Sequence, residues 1–85
     1  KKIRIDKWLW YSRLFKSRSI AAQAIRIGNF RINGVRVEKS SMSLKVGDIL
    51  IFSRGKDLMT LEVLELGFNR GKSSDAKNLY KEFLI

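Results

Sequence analysis

Apolar and polar positions near the start of the chain follow the spacing of an amphipathic helix. Asp6 can accept hydrogen bonds from free first-turn amides, so it is a candidate N-cap. After it, Trp8 and Leu9 fall on the side that would face a core, while lysines and arginines fall outside that stripe. The pattern predicts a first helix from about Lys7 to Phe15.

A second amphipathic run begins after a link of only a few residues. Ser17 is a good N-cap, and the run after it continues to Ile27. Gly28 follows, and glycine tolerates the left-handed conformation in which many helices end. The sequence therefore predicts a second helix that packs closely against the first.

The pair Asn33-Gly34 favours a tight turn, because both positions of such a turn need positive φ. Apolar residues alternate with an arginine on each side of the pair, as expected for two paired strands. The alternating residues are Phe30, Arg31 and Ile32 before the turn, and Val35, Arg36 and Val37 after it. The pattern predicts a hairpin with its arginines on the polar face.

The remaining sequence predicts further strands and one last helix. Apolar runs over 49–52 and 58–64, each preceded by a glycine-containing turn, are typical of strands. From Ser73 or Ser74 onward, apolar residues recur at helical spacing and predict a short terminal helix. We therefore expect an α+β fold with two N-terminal helices, a small antiparallel sheet of four to five strands and a short C-terminal helix. We expect residues 1–66 to form one domain and residues 67–85 to form a helical tail packed on it.

Charge is the strongest compositional signal in the 85 residues. The formal net charge is +10, and residues 1–36 hold ten Lys or Arg against the single acid Asp6. Such a one-sided field costs self-repulsion, which a bound polyanion or an anionic membrane surface would offset. A simple solubility role would not require so lopsided a distribution.

Catalytic chemistry has little support in the sequence. The chain has no cysteine and no histidine, which removes thiolate ligands and the commonest general base. The aspartates have simpler roles as cap or turn residues, and Glu62 and Glu65 fall on opposite faces of a strand. We therefore expect no catalytic residues, no metal site, no cofactor and no small-molecule substrate.

Spaced positions in the first part of the chain resemble the S4 RNA-binding domain family. The resemblance covers about residues 3–52, with Ser40 where relatives often have proline. It is carried by Arg4, Ile5, Asp6, Leu9, Ser17, Arg18, Ala21, Ile25, Gly28, Phe30, Ile32, Asn33, Gly34, Val37, Ser41, Leu44, Gly47 and Asp48. Family members use two helices and the following hairpin to bind structured RNA.

A narrower resemblance involves the segments DKWLW, 13–18 and NRGKSSDAKNLYKE. It is to ribosome-associated heat shock (stress-response) proteins within this family. That resemblance implies a small bacterial cytoplasmic protein bound to large ribosomal subunits that carry a stalled nascent chain. Its expected partners are ribosomal RNA of the large subunit and, as a second candidate, transfer RNA, and we expect a monomer.

The candidate RNA-binding residues are basic groups on the two helices and the hairpin, together with the serine at the second helix start. They are Arg4, Lys7, Arg13, Lys16, Ser17, Arg18, Arg26, Arg31 and Arg36. Phosphates are the expected targets, with a further seat at the positive end of the second helix.

Two alternatives remain open from the residues. A basic helix with Trp8, Trp10 and Phe15 could lie in a lipid interface or bind a protein. The second helix could instead enter duplex DNA, although Gln23 is the one amide there suited to reading a base.

Overall fold

The computed structural model describes residues 1–83, without the side chain of Ser73. Two N-terminal helices precede a small antiparallel sheet, and a short helix returns to its edge. The elements are β1 (Ile3–Arg4), α1 (Ile5–Tyr11), α2 (Arg18–Ile27), β2 (Arg31–Ile32), β3 (Val35–Arg36), β4 (Ser43–Leu44), β5 (Ile49–Arg54), β6 (Asp57–Val63), α3 (Ser73–Ala76), a 3₁₀ turn (Lys77–Leu79) and β7 (Tyr80–Glu82). The expected α+β class is confirmed.

Within the described residues, the strands form a five-stranded antiparallel sheet and a separate two-stranded ladder. The large sheet has the order β3-β2-β5-β6-β7, and β1 pairs with β4. The long pair β5–β6 runs in regular register from Ile49 opposite Glu62 to Arg54 opposite Asp57. This pair is the scaffold to which the basic hairpin is attached.

The first helix differs from the prediction in its bounds and in its cap. It begins at Ile5 and ends at Tyr11, and its N-cap is Arg4, whose side chain does not cap it. Asp6 is therefore inside the first turn, where it is buried and bonded to arginines. The cap prediction was wrong because the Asp6 carboxylate pairs with the guanidinium groups of Arg4 and Arg18 instead of with first-turn amides.

The second helix begins where the sequence predicts, with Ser17 Oγ accepting a hydrogen bond from the N–H of Ile20. Gly28 ends the helix but has an extended conformation, with φ −100° and ψ 175°, so the predicted left-handed stop was wrong. Glycine is required at position 28 for another reason, because a Cβ there would lie 2.6 Å from the carbonyl oxygen of Ala24. Close approach of backbone to backbone, not helix-end geometry, explains this residue.

The terminal segment is helical only in part. The predicted short helix is present as α3 and the 3₁₀ turn, but the chain becomes extended at Tyr80. Tyr80 lies opposite Val63, and Glu82 lies opposite Leu61, so β7 forms an edge of the large sheet. This pairing satisfies backbone groups along the edge of β6 that a helix at 80–82 would have left without strand partners.

The core lies between the helix pair and the sheet. Trp8, Leu9, Phe30 and Phe52 are almost fully buried, as is Tyr11, whereas Trp10 is half-buried at the edge of the cluster. The Trp8 ring nitrogen donates to the carbonyl of Glu65 at 2.9 Å, which fixes α1 to the chain that follows β6. Among the helices described, none combines the length and apolar character needed to cross a bilayer.

Candidate RNA-binding surface

Two arginines meet at one buried carboxylate where β1, α1 and α2 come together. Arg4 donates through Nε and Nη2 to the two oxygens of Asp6, at 3.1 and 2.9 Å, and Arg18 Nη2 lies 3.5 Å from Asp6 Oδ1. The Asp6 side chain is 5% exposed, but the side chains of Arg4 and Arg18 are 50% and 42% exposed. The carboxylate therefore holds two guanidinium groups at the surface.

The arrangement leaves positive charge and hydrogen-bond donors available. A guanidinium has five N–H donors, and the contacts with Asp6 occupy two of those on Arg4 and one on Arg18. The pKa of Arg4 is raised above its ordinary value, mainly by the hydrogen bond with Asp6 and secondly by the negative charge of Asp6. Two positive charges against one negative charge leave an excess of one, suited to a phosphate oxygen.

The N-terminus of α2 adds a partial positive charge beside Arg18. The N–H of Ile20 is already engaged by Ser17 Oγ, and the N–H of Ala21 donates to the Ser17 carbonyl. The predicted phosphate seat is therefore limited to the amides of Arg18 and Ser19, the first two of the helix. Ser17 itself is placed to shape this end rather than to neutralise charge.

The segment between α1 and α2 is held by aromatic packing. The Phe15 ring lies 6.1 Å from the Phe30 ring and 5.9 Å from the Phe52 ring, and those two stack at 4.8 Å. Because Phe15 points to this cluster, the neighbouring Lys16 is left exposed to solvent. The inter-helix segment thus presents a cation beside the start of α2.

Arg13 lies two residues after the end of α1 and has a left-handed conformation, with φ 60°. Its N–H donates to the carbonyl of Trp10 at 3.1 Å, and its Nε donates to the carbonyl of Gly71 at 2.8 Å. Arg13 and Arg18 therefore have different anchors, although both belong to one six-residue stretch with Lys16. Arg13 extends the basic surface towards the chain that precedes α3.

The hairpin places two like charges directly across from each other. Arg31 on β2 lies opposite Arg36 on β3, and both side chains are exposed. Like charges at facing positions of antiparallel strands destabilise the pair. The Arg31 guanidinium donates to the Gly34 carbonyl at 3.2 Å, which relieves part of this repulsion. A bound phosphate would relieve more.

The turn of the hairpin is fixed to the sheet through Asn33. Asn33 and Gly34 both have positive φ, 52° and 83°, as the sequence predicts. The Asn33 side chain accepts from the N–H of Ile49 at 2.9 Å and donates to Asp48 Oδ1 at 3.0 Å. These bonds set the position of the hairpin relative to β5.

Asp48 is the buried acceptor of this turn network. It also receives the Lys45 ammonium at 2.7 Å and the Lys45 backbone N–H at 2.9 Å. Burial by itself raises the pKa of Asp48, but the hydrogen bonds from Lys45 and Asn33 together outweigh burial and lower it below its ordinary value. Asp48 is therefore a structural carboxylate that stays charged.

Two other predicted residues, Lys7 and Arg26, make none of the contacts described at Asp6. Lys7 lies with its ammonium 5.6 Å from the centre of the Tyr11 ring. Arg26 is exposed in the last turn of α2, and eight residues at 1.5 Å each put it about 12 Å along the axis from Arg18. The structure thus brings Arg4 and Arg18 together and Arg31 and Arg36 together, whereas Arg26 stands apart.

Two basic residues near this surface were missed by the sequence reasoning. Arg54, at the end of β5, donates to the carbonyl of Leu14 at 3.2 Å, and Arg70 lies 5.8 Å from the ring of Trp10. Both contacts span more than 35 positions along the chain, so no local pattern could have shown them. Arg54 thus adds a positive charge from the other half of the sequence to the segment between α1 and α2, and Arg70 adds one beside α1.

The part of the chain that the structure describes contains no cluster of three or more His, Cys, Asp or Glu side chains that could hold a metal ion. Its functional chemistry is that of cations, amide donors and aromatic rings.

Comparisons with known proteins show which family and which fold this chain is similar to. The family model described as the S4 domain matches residues 3–50. An RQC P-site tRNA stabilizing factor from Streptococcus pneumoniae is 35% identical over 79 residues, which cover 93% of this chain and 88% of that protein. A heat shock protein 15 homolog from Haemophilus influenzae is 34% identical over 82 residues, but this chain spans 62% of that protein's length. The trimeric structure of heat shock protein 15 from Vibrio cholerae has a TM-score of 0.89 at 32% identity, covering 98% of this chain and 83% of that chain.

Proposed function

This chain belongs to the S4 domain family, and on that premise we propose that it binds folded RNA of the large ribosomal subunit, with transfer RNA as a second partner. The proposed site is the arginine pair Arg4–Arg18, extended by Arg13 and Lys16 and by the hairpin arginines. The protein acts by binding and performs no catalysis. We place this function in the cytoplasm, with a monomer as the binding unit.

One observation carries the proposal: two half-exposed guanidinium groups share a single buried carboxylate beside a helix N-terminus. A buried carboxylate with two guanidinium partners fixes their spacing before any ligand arrives, which lowers the entropic cost of binding. The exposed edges have the donor geometry that phosphate oxygens accept. Sequence reading of bases is not required, so shape and backbone of the RNA should dominate recognition.

The names of the similar proteins support the ribosomal part of the proposal. One relative is named for stabilizing transfer RNA in the P site. Others are named heat shock protein 15. Because S4 domains bind structured RNA, a partner formed by ribosomal RNA with a neighbouring transfer RNA fits the first of these names.

The test compares the parent chain with Arg18→Gln. For each protein, the affinity for ribosomal RNA and for transfer RNA is measured over a range of salt concentrations. Each phosphate contact contributes roughly 0.7–0.9 to the slope of log affinity against log salt, so the variant should lose about that much. Lys56→Gln is the matched control, because Lys56 is an exposed cation in the β5–β6 turn, and its loss changes net charge equally.

Equal slopes for the two variants would contradict the proposal, as would an affinity that does not depend on salt. Duplex DNA and anionic vesicles at matched salt serve as competitors, and preferred binding to either would favour the corresponding alternative. Sedimentation of the protein with and without RNA checks the proposed monomer, since the Vibrio cholerae relative is described as trimeric.

A further inference from the structure

A second group of basic residues lines a groove between the N-terminal residues, the chain after β6 and α3, and the lining does not include Arg4 or Arg18. The groove encloses about 1210 Å³ and is open to solvent. Tyr11 and Leu79 contribute to its floor, and Phe68 and four lysines are among its lining residues. Pockets for small molecules are usually about 300–1000 Å³, so this groove is large enough for a segment of a polymer.

Phe68 is the most exposed large apolar residue described, with 96% of its surface accessible. It follows Gly67, which has φ 76° and lies over the side chains of Tyr11 and Leu79, where a Cβ would be in van der Waals contact at 3.4 and 3.5 Å. The left-handed turn at Gly67 is thereby fixed to the floor of the groove. An aromatic ring held outward by an anchored turn is suited to stacking on a flat partner.

The rest of the lining has the chemistry of a nucleotide site. Lys1, Lys2 and Lys7 supply ammonium groups for phosphate, and Asn69 and Asn78 supply amides that can both donate and accept. Glu65 and Asp75 also line the groove, and Lys45 is already paired with Asp48, so Lys1, Lys2 and Lys7 leave an excess of one positive charge. A polyanion with flat, hydrogen-bonding bases complements this combination of charge, amides and exposed ring.

We propose that this groove binds an unpaired nucleotide segment of the RNA, with one base stacked on Phe68 and the adjacent phosphates near Lys1, Lys2 and Lys7. The proposal rests on the proposed function, because it adds a single-strand contact to a protein that grips folded RNA elsewhere. The arginine pair then recognises the backbone of the folded part, and the groove recognises a strand that leaves it.

The test uses an RNA hairpin with a single-stranded extension of about four nucleotides and the same hairpin without the extension. Binding of both RNAs is measured for the parent chain, Phe68→Ala, Phe68→Trp and Leu58→Ala. Leu58 is the matched control, because it is an apolar side chain with 63% exposure on β6, outside the groove lining. A fluorescent base analogue in the extension reports stacking, and thermal unfolding checks that each variant folds.

Phe68→Ala should weaken binding of the extended RNA about 5- to 100-fold, as expected for loss of one stacked base. It should leave the blunt hairpin unchanged, and Phe68→Trp should keep the tight binding and the stacking signal. An unchanged affinity of Phe68→Ala for the extended RNA would overturn the groove proposal while leaving the arginine pair in place. An equal loss for both RNAs would also overturn it. Failure of the parent chain to bind either RNA would overturn the proposed function, and this proposal with it.

Discussion

At the scale of single residues, Asp6 fixes the positions of the Arg4 and Arg18 guanidinium groups. It is the sole acid among the first 36 residues, and it is buried against Arg4 and Arg18. An exposed acid at this position would lower the positive potential and position nothing. The buried carboxylate lowers the net positive charge by one unit, but it holds two guanidinium groups in fixed positions.

Asp6→Asn separates positioning from charge. The variant has a more positive net charge, so a general electrostatic attraction would strengthen RNA binding. We expect the RNA affinity to fall instead, because Arg4 and Arg18 lose the carboxylate that positions them. The free energy of unfolding should drop by about 1–3 kcal/mol from loss of charge-assisted hydrogen bonds. RNA binding at fixed salt and urea unfolding measure the two effects.

Asp57→Asn is the control for that experiment, because Asp57 is an exposed acid at the start of β6 and its loss changes the charge equally. We expect the control to bind RNA at least as tightly as the parent. Tighter binding by both variants would show that Asp6 does not position the arginines.

At the scale of elements, the hairpin depends on one network at its turn. Asp48 receives hydrogen bonds from Lys45 and Asn33, and its pKa is lowered. The folded protein therefore binds fewer protons at this residue than the unfolded chain does. The resulting stabilisation is fully present above the ordinary pKa of 3.8 and is lost as the pH falls through the lower folded value.

Asp48→Asn should remove this pH dependence. We expect the variant to be less stable than the parent at pH 7 by about 1–3 kcal/mol, because a charged acceptor of several hydrogen bonds is lost. Between about pH 5 and 2, its unfolding free energy should fall less steeply than that of the parent. Urea unfolding over this range checks the prediction, and a parallel pH profile for the two proteins would contradict it.

The elements that the sequence predicts well are those with local signals. Ser17 caps α2, and Asn33 with Gly34 forms the hairpin turn, because each signal acts within three or four residues. Asp6 was misread as a cap, since Arg18 lies twelve positions away and no local pattern links them. Tyr80 was misread as helical because its spacing from Ala76 fits a helix, and only pairing with β6 makes it a strand.

The same distinction applies to the candidate site. The basic residues were visible in the sequence, but their grouping was not. Arg54 joins the inter-helix segment through the carbonyl of Leu14, forty positions earlier. Side chains from distant parts of a chain meet only after the core has formed, so composition predicts the sign of the surface and packing decides its pattern.

At the scale of the whole molecule, the first helix and the last described strand are in contact. The Trp8 and Tyr80 rings meet edge to face at 6.3 Å, and Trp8 also donates to Glu65. The predicted tail covers residues 67–85, of which 84 and 85 lie outside the described residues, and we propose accordingly that residues 67–83 pack on the same domain as residues 1–66. The two parts should then unfold together.

Tyr80→Ala tests this proposal. Loss of the aromatic contact should lower the free energy of unfolding by about 1–3 kcal/mol, with tryptophan fluorescence and far-ultraviolet circular dichroism still following one transition. Lys81→Ala is the control, because Lys81 is exposed on the same strand. A variant with an unchanged midpoint, or two separate transitions, would indicate that the tail folds independently.

The left-handed backbone at Arg13 sets two selective pressures against each other. A non-glycine residue in that conformation carries strain of order 1 kcal/mol or more, which glycine would avoid. Random mutagenesis followed by a screen for heat resistance alone should enrich glycine at this position. A screen for retention on immobilised RNA should instead keep arginine. A difference between the residues enriched by the two screens would show that the cation is retained for RNA binding although glycine is the more stable residue at this position.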